Sequence, residues 1–257
     1  KAIGHSGTLD PLASGVMQVA IGSATKLLDY LESDKTYIAD IKFGFESTTM
    51  DEEGEKTFIS NPNFSENDLI NVLNSFIGVT KQIPPKFSAI KQNGKKLCDI
   101  ARKNPDIEIL PNSREIEIYS IELLNFKDTE AQIKVHCKKG TYIRSLAHDI
   151  GLKLKCGAYI SDLKRIKAGN FYIESSDELD SYKYNKINPL DVLNFEKYEL
   201  DEQEYQKIKN GCYIKIKKQF FISDILLTKN NKLVSLAKIS DNSDGCIIKP
   251  KKNFNED

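Results

Sequence analysis

Gly4–Val16 reads GHSGTLDPLASGV, and this stretch decides how the rest of the chain is read. Three glycines, one His and one acid crowd around an Asp10-Pro11 step, so the backbone is densely specified. An Asp before Pro is driven toward extended angles, and Pro11 suits the first position of a helical turn. Taken alone, Asp10 would cap a short turn through Leu12 and Ala13. Gly4, Gly7 and Gly15 point further, to unusual backbone angles or close approach by a bulky partner.

Outward from this loop the periodicities alternate between strand and helix. Thr25–Glu32 (TKLLDYLE) has Leu27, Leu28 and Leu31 at helical spacing, and the Ser65/Asp68 capping box opens a second helix that ends at Gly78. Between them Thr36–Phe43 (TYIADIKF) has the period of a half-buried strand, with Tyr37 on its apolar side. Ile116–Leu124 and Ala131–Cys137 flank the polar turn FKDTE and predict an antiparallel hairpin. Ile143, Leu146, Ala147, Ile150 and Leu154 then form a helical stripe that leaves Arg144 and His148 on the other face. Asn, Pro189 and acids accumulate over 185–198, which predicts a boundary: a domain over 1–190 and a smaller one over 191–257. Beyond it, Asp201 and Glu204 cap a helix, and Tyr213–Lys217, Phe220–Leu227, Leu233–Ile239 and Cys246–Ile248 read as short strands around the turn KNNK.

Composition narrows the class. The chain has 257 residues, 40% hydrophobic and 29% charged, which is ordinary for a globular protein and excludes general disorder. No apolar run approaches the roughly 18 residues of a membrane helix and no signal segment opens the chain, so a cytoplasmic location and no membrane partner are expected. The five cysteines are scattered with no C-x-x-C, and His136 and Cys137, as strand neighbours, point to opposite faces; neither a disulfide framework nor a metal site is expected. The 37 basic and 37 acidic side chains cancel, but not locally. Residues 81–103 carry seven Lys/Arg against one acid and residues 132–168 nine against two, whereas 172–204 carry ten acids and three Lys. These blocks fit either a surface that tracks a phosphate backbone or ordinary solvated faces.

GHSGTLDPLASGV closely resembles the catalytic motif of the TruB-type tRNA pseudouridine synthases. SDKTYIADIKFG, QIPPKFSAIKQNGKKLCDIAR, KKGTYIRSLAHDIG and CGAYISDLKR match the same family in the same order, over roughly residues 1–170. The resemblance implies an α+β fold with a mixed, mainly antiparallel central sheet flanked by helices. It also implies that the β-rich tail, with GCYIKIK and IIKPKKNF, is a small PUA-like RNA-binding domain. The family begins with a strand and a Lys-Pro-x-Gly motif upstream of the catalytic loop, so an N-terminal strand region is expected to be missing before Lys1.

The implied activity is isomerisation of uridine 55 in the tRNA T arm, with base flipping. It needs no cofactor, no metal and no protein partner, and the enzyme is expected to be a monomer. The implied catalytic residues are Asp10, the attacking carboxylate; Arg144, which pairs with it; and Tyr37, which stacks on the target base. His5, Tyr142 and Leu163 are implied to bind the nucleotide. Arg144 also stands out chemically, because the chain has only four Arg against 33 Lys and a guanidinium can orient both oxygens of a carboxylate. Two rival readings fit the residues less well. A basic RNA-binding module without chemistry lacks a reason for the Asp10, Tyr37 and Arg144 set. An aspartate-nucleophile phosphohydrolase would want a second acid where Leu12 stands.

Overall fold

The strand expected over 36–43 forms in the computed structural model as Lys35–Phe43, and it lies in the interior of the larger sheet. The structure describes residues 1–88, 90–92, 94–103, 111–181, 184–242 and 245–254. In chain order the strands of that sheet are β1 (Ser14–Gly15), β2 (Lys35–Phe43), β3 (Gly78–Gln82), β4 (Arg114–Lys127), β5 (Glu130–Cys137), β6 (Ala158–Ala168) and β7 (Phe171–Tyr172). They are ordered β7-β6-β2-β5-β4-β3 and antiparallel throughout, while β1 adds a parallel bridge to β6. The architecture is thus α+β with a mixed, mainly antiparallel sheet.

One face of this sheet is the core. Ala39 and Ile41 of β2, Ile118 of β4, Ile133 and Val135 of β5 and Ile160 of β6 are buried there. Two helices contribute to the same core, α1 (Glu66–Asn74) and α2 (Ile143–Lys153). In α1 the Ser65 and Asp68 box closes in both directions, so two otherwise orphaned N–H groups are satisfied. In α2 the predicted stripe of Ile143, Leu146, Ala147 and Ile150 is buried. Arg144, expected on the outward face with His148, is buried as well, because it sits in the first turn where the loop around Asp10 covers the helix start.

The chain divides into two compact units. One is Thr8–Met17 with Ser33–Ser176, which holds this sheet, and the other is Lys1–Gly7 with Gln18–Glu32 and Asp177–Asp257. The division differs from the expected one at 190. Local pairing explains the difference: Ile3–His5 forms a hairpin with Val19–Ile21, and Leu27 packs in one cluster with Leu190, Leu193, Leu226 and Leu236. The segment around Leu27 is a 3-10 helix, Gly22–Tyr30, rather than an α-helix. The C-terminal part is β-rich as expected. Its sheet runs Lys197–Glu199, Asp224–Lys229, Lys232–Asn242, Gly245–Asn253 and Ile214–Ile216, and the KNNK turn places Asn230 and Asn231 at positive φ.

α2 approaches the start of β6 at a glycine. A Cβ on Gly151 would stand 2.3 Å from the Ala158 amide nitrogen and 2.5 Å from the Gly157 carbonyl carbon. Gly to Ala inside a helix ordinarily stabilises by about 1 kcal/mol, but backbone on backbone cannot yield at these distances. Gly151→Ala should therefore destabilise the protein, by about 2 kcal/mol or more. A urea midpoint that rises in this variant would show that α2 is free to move off the sheet.

Candidate active site

The loop Thr8–Val16 is fastened at both ends by one side chain. Arg165 of β6 is 2% exposed. Its Nε donates to the Val16 carbonyl at 2.7 Å and its Nη1 to the Thr8 carbonyl at 3.3 Å, while its own carbonyl accepts from the Val16 N–H at 2.9 Å. This closeness requires Gly15, whose φ is +108° and whose Cβ, if present, would lie 2.2 Å from the Arg165 carbonyl oxygen. Between the fastened ends the chain turns. Ala13 N–H donates to the Asp10 carbonyl at 2.8 Å, with Pro11 in the position that its fixed φ favours. Leu12 and Ala13 pack on the core, which leaves the Asp10 side chain free to turn away from the capping position.

It turns to Arg144. Arg144 Nε donates to Asp10 Oδ2 at 2.8 Å and Nη2 to Oδ1 at 3.1 Å, a two-pronged pair across 134 residues of sequence. The guanidinium side is 4% exposed and the carboxylate side 34%, so the pair faces outward through the acid. Arg144 also donates to the carbonyls of Thr49 and Phe87, each at 3.0 Å, and its Nη1 lies 3.2 Å from Asp51 Oδ2. Asp51 is buried and takes hydrogen bonds from the Thr49 hydroxyl and the Glu53 N–H. One cation thus serves two carboxylates, of which only Asp10 reaches solvent.

Aromatic groups stand beside this cluster. Tyr37 on β2 is half-buried and lies between Val135 and Arg165 on the neighbouring strands. Burial pushes its phenol up to about 12, against the pull of the Arg165 guanidinium, with the Asp10 charge adding to the rise. Tyr142 immediately precedes α2, and the buried Gln82 amide holds its backbone twice, accepting from its N–H at 2.9 Å and donating to its carbonyl at 3.0 Å. Burial raises its phenol too, and the charges of Asp10 and Arg144 both reach it. Leu163 of β6 is buried in the core cluster. His5 belongs to the other compact unit, exposed on its hairpin opposite Val19.

Asp51, Arg165 and Gln82 are site residues that sequence reasoning misses. Asp51 stands in TTMDEE, where a lone acid in an acidic turn carries no signature. Arg165 does carry one: it is among the four Arg of a lysine-rich chain, the same rarity that marks Arg144. Both of these arginines are buried, so they leave the 132–168 block as surface charge, whereas Lys134, Lys138, Lys139, Lys153, Lys155 and Lys164 are exposed. Within the 81–103 block, residues 89 and 93 and the side chains at 91, 92, 95 and 96 lie outside the described residues.

Comparison with known proteins follows the same lines. The family model described as TruB family pseudouridylate synthase (N terminal domain) matches residues 1–143, and the tRNA pseudouridylate synthase B C-terminal domain matches residues 144–204. The tRNA pseudouridine synthase B of Mycoplasma mobile is 45% identical over 224 residues, covering 85% of this chain and 75% of that protein. That of Clostridium kluyveri is 41% identical over 236 residues, covering 89% and 80%. Among solved structures, a Cbf5-Nop10-Gar1 complex aligns at a TM-score of 0.69 and 24% identity over 99% of this chain and 77% of the other, a likeness of fold.

The two carboxylates should differ in what their loss does to stability. Asp51→Asn leaves a buried guanidinium short of its sealed partner and should cost about 3 kcal/mol or more. Asp10→Asn removes a charge that water already screens and should cost about 1 kcal/mol or less. Urea unfolding of the two variants measures this directly, and equal losses would mean that the cation does not depend on the inner acid.

Proposed function

The chain belongs to the TruB family of pseudouridine synthases, and from that premise we propose that it converts uridine 55 in the T arm of tRNA to pseudouridine, with Asp10 as the catalytic carboxylate. The observation that carries this reading is the Asp10–Arg144 pair, an acid held by two N–H groups from inside and open on its other side.

The reaction breaks the N1–C1′ glycosidic bond, turns the uracil and joins C5 to C1′, with the C5 proton lost and N1 reprotonated. A carboxylate fixed at both oxygens keeps one direction of attack. Addition of Asp10 at the sugar and addition at the base both use this same charge. The target base must leave its stack, which costs about a few kcal/mol. In this reading Tyr37 offsets that cost by stacking on the extruded uracil, Tyr142 and Leu163 wall the pocket, and His5 contacts the T-loop nucleotide. The residues present supply the acid, the cation and the rings, and the reaction as proposed uses no cofactor or metal.

The exposed lysines of the 132–168 block fit phosphate contacts along the arm, which fix register without reading sequence. The β-rich residues 191–257 are proposed as a PUA-like RNA-binding domain. The enzyme is proposed to act as a cytoplasmic monomer without a protein partner.

An unmodified T-arm stem-loop with a chemical readout for pseudouridine tests the assignment. Asp10→Asn should bind the RNA within a few-fold of the parent while turnover disappears, because the carboxylate is needed for chemistry and not for affinity. Retained turnover would remove Asp10 from the mechanism, and modification at another uridine of total tRNA would overturn the proposed position.

A further inference from the structure

Lys35 opens β2 and is 7% exposed, yet among the described residues its ammonium has no hydrogen bond or ion pair. Burying a charge without a hydrogen-bonded partner is costly, so such a group is expected to be satisfied by something that arrives. The carboxylate that acts on Lys35 among the described residues, Asp34, already serves other partners. The adjacent carboxylate, Asp34, is engaged by His136 Nε2 at 2.7 Å and Lys167 Nζ at 3.2 Å. Burial works to raise the Asp34 carboxyl, but those two partners outweigh it and bring it below its ordinary value. Cys137, opposite Lys35 on β5, is pushed up to about 12 by burial and so is a neutral thiol, and the phenol of Tyr37 is neutral for the same reason. Arg165 and Lys139 add further positive charge. Burial first and then repulsion from Arg165 lower the Lys35 ammonium's pKa, against a smaller pull from Asp34.

The position says which anion fits. Lys35 and Tyr37 are two residues apart on one strand, so they share a face at about 7 Å. An ammonium is a compact point charge that suits a single phosphate, and one placed this close to a stacking ring lies within the span of one nucleotide. Resting on the isomerase reading, we propose that Lys35 binds an RNA phosphodiester flanking the uridine that stacks on Tyr37. The contact would anchor the backbone of the flipped nucleotide beside the ring on which its base stacks.

The test replaces the phosphate on either side of the target uridine, one at a time, with an uncharged methylphosphonate in the T-arm stem-loop. Equilibrium binding by the parent protein, Lys35→Met and Lys35→Arg is then measured across salt. Lys35→Met should weaken binding about tenfold and reduce the slope of log affinity against log salt by about 0.7 to 0.9. Lys35→Arg should restore the slope. One of the two methylphosphonates should weaken the parent by a similar factor and leave Lys35→Met within about twofold, because the charge it removes has already lost its partner. Penalties that add in full, or a parent indifferent to both replacements, would overturn the assignment; the second measurement does not depend on any variant folding. Unchanged binding with a loss only in turnover would also overturn it, by giving Lys35 a part in the chemical step. Binding is read without turnover, so a parent protein that makes no pseudouridine would sink the isomerase reading and leave this contact standing on its own result.

Discussion

A guanidinium enclosed by protein needs compensation on every N–H, and the way Arg144 obtains it organises the site. Two carbonyls and two carboxylates surround it, and they come from the loop of Asp10, the turn at Thr49–Asp51 and the segment at Phe87. These segments are far apart in sequence, so the cation can be satisfied only when all of them have folded against the start of α2. Asp51 supplies the inner charge and leaves Asp10 as the acid that both pairs with Arg144 and meets solvent. That asymmetry gives a carboxylate whose orientation is fixed from behind and whose front is available.

The second constraint is the fastening of the loop that carries Asp10. Arg165 reaches both ends of it, and Gly15 permits the backbone to lie against β6. A site built on a loop is ordinarily less precise than one built on a strand, and this parallel bridge lends the loop the rigidity of the sheet. β6 also brings Leu163 into the core and pairs with β2, the strand of Lys35 and Tyr37. Cations, rings and the acid therefore converge where the first residues of β2, the last residues of β6 and the start of α2 meet. The rest of the core face is filled by Ala39, Ile41, Ile133 and their neighbours.

Local rules carry far where one segment decides its own state. The alternation of TYIADIKF, the Ser65/Asp68 and Asp201/Glu204 boxes, the hairpin around 125–130 and the helix from Ile143 all form close to where the sequence places them. They fail where a partner decides. The run AYISDLKRIKA mixes apolar, acidic and basic residues without a period, yet it becomes the long strand β6 because β2 and β1 supply hydrogen bonds on its two sides. The residues before Ser33 read as continuous with the sheet that follows them, but Leu27 finds its apolar neighbours among Leu190, Leu226 and Leu236.

By itself the sequence determined the element types, the β-rich tail and, through the motif around Asp10-Pro11 and its four companions, the family and the acid on which the proposed chemistry turns. Those are properties of short segments, set by side-chain period, capping and turn residues. Only the tertiary structure decided that Arg144 is buried rather than outward, that Asp51 shares it, that Arg165 ties down the loop and that Lys35 is enclosed with no hydrogen bond or ion pair among the described residues. Burial and charge pairing are sums over every segment that packs around a group, and no stretch of chain contains that information until the others have come to rest against it.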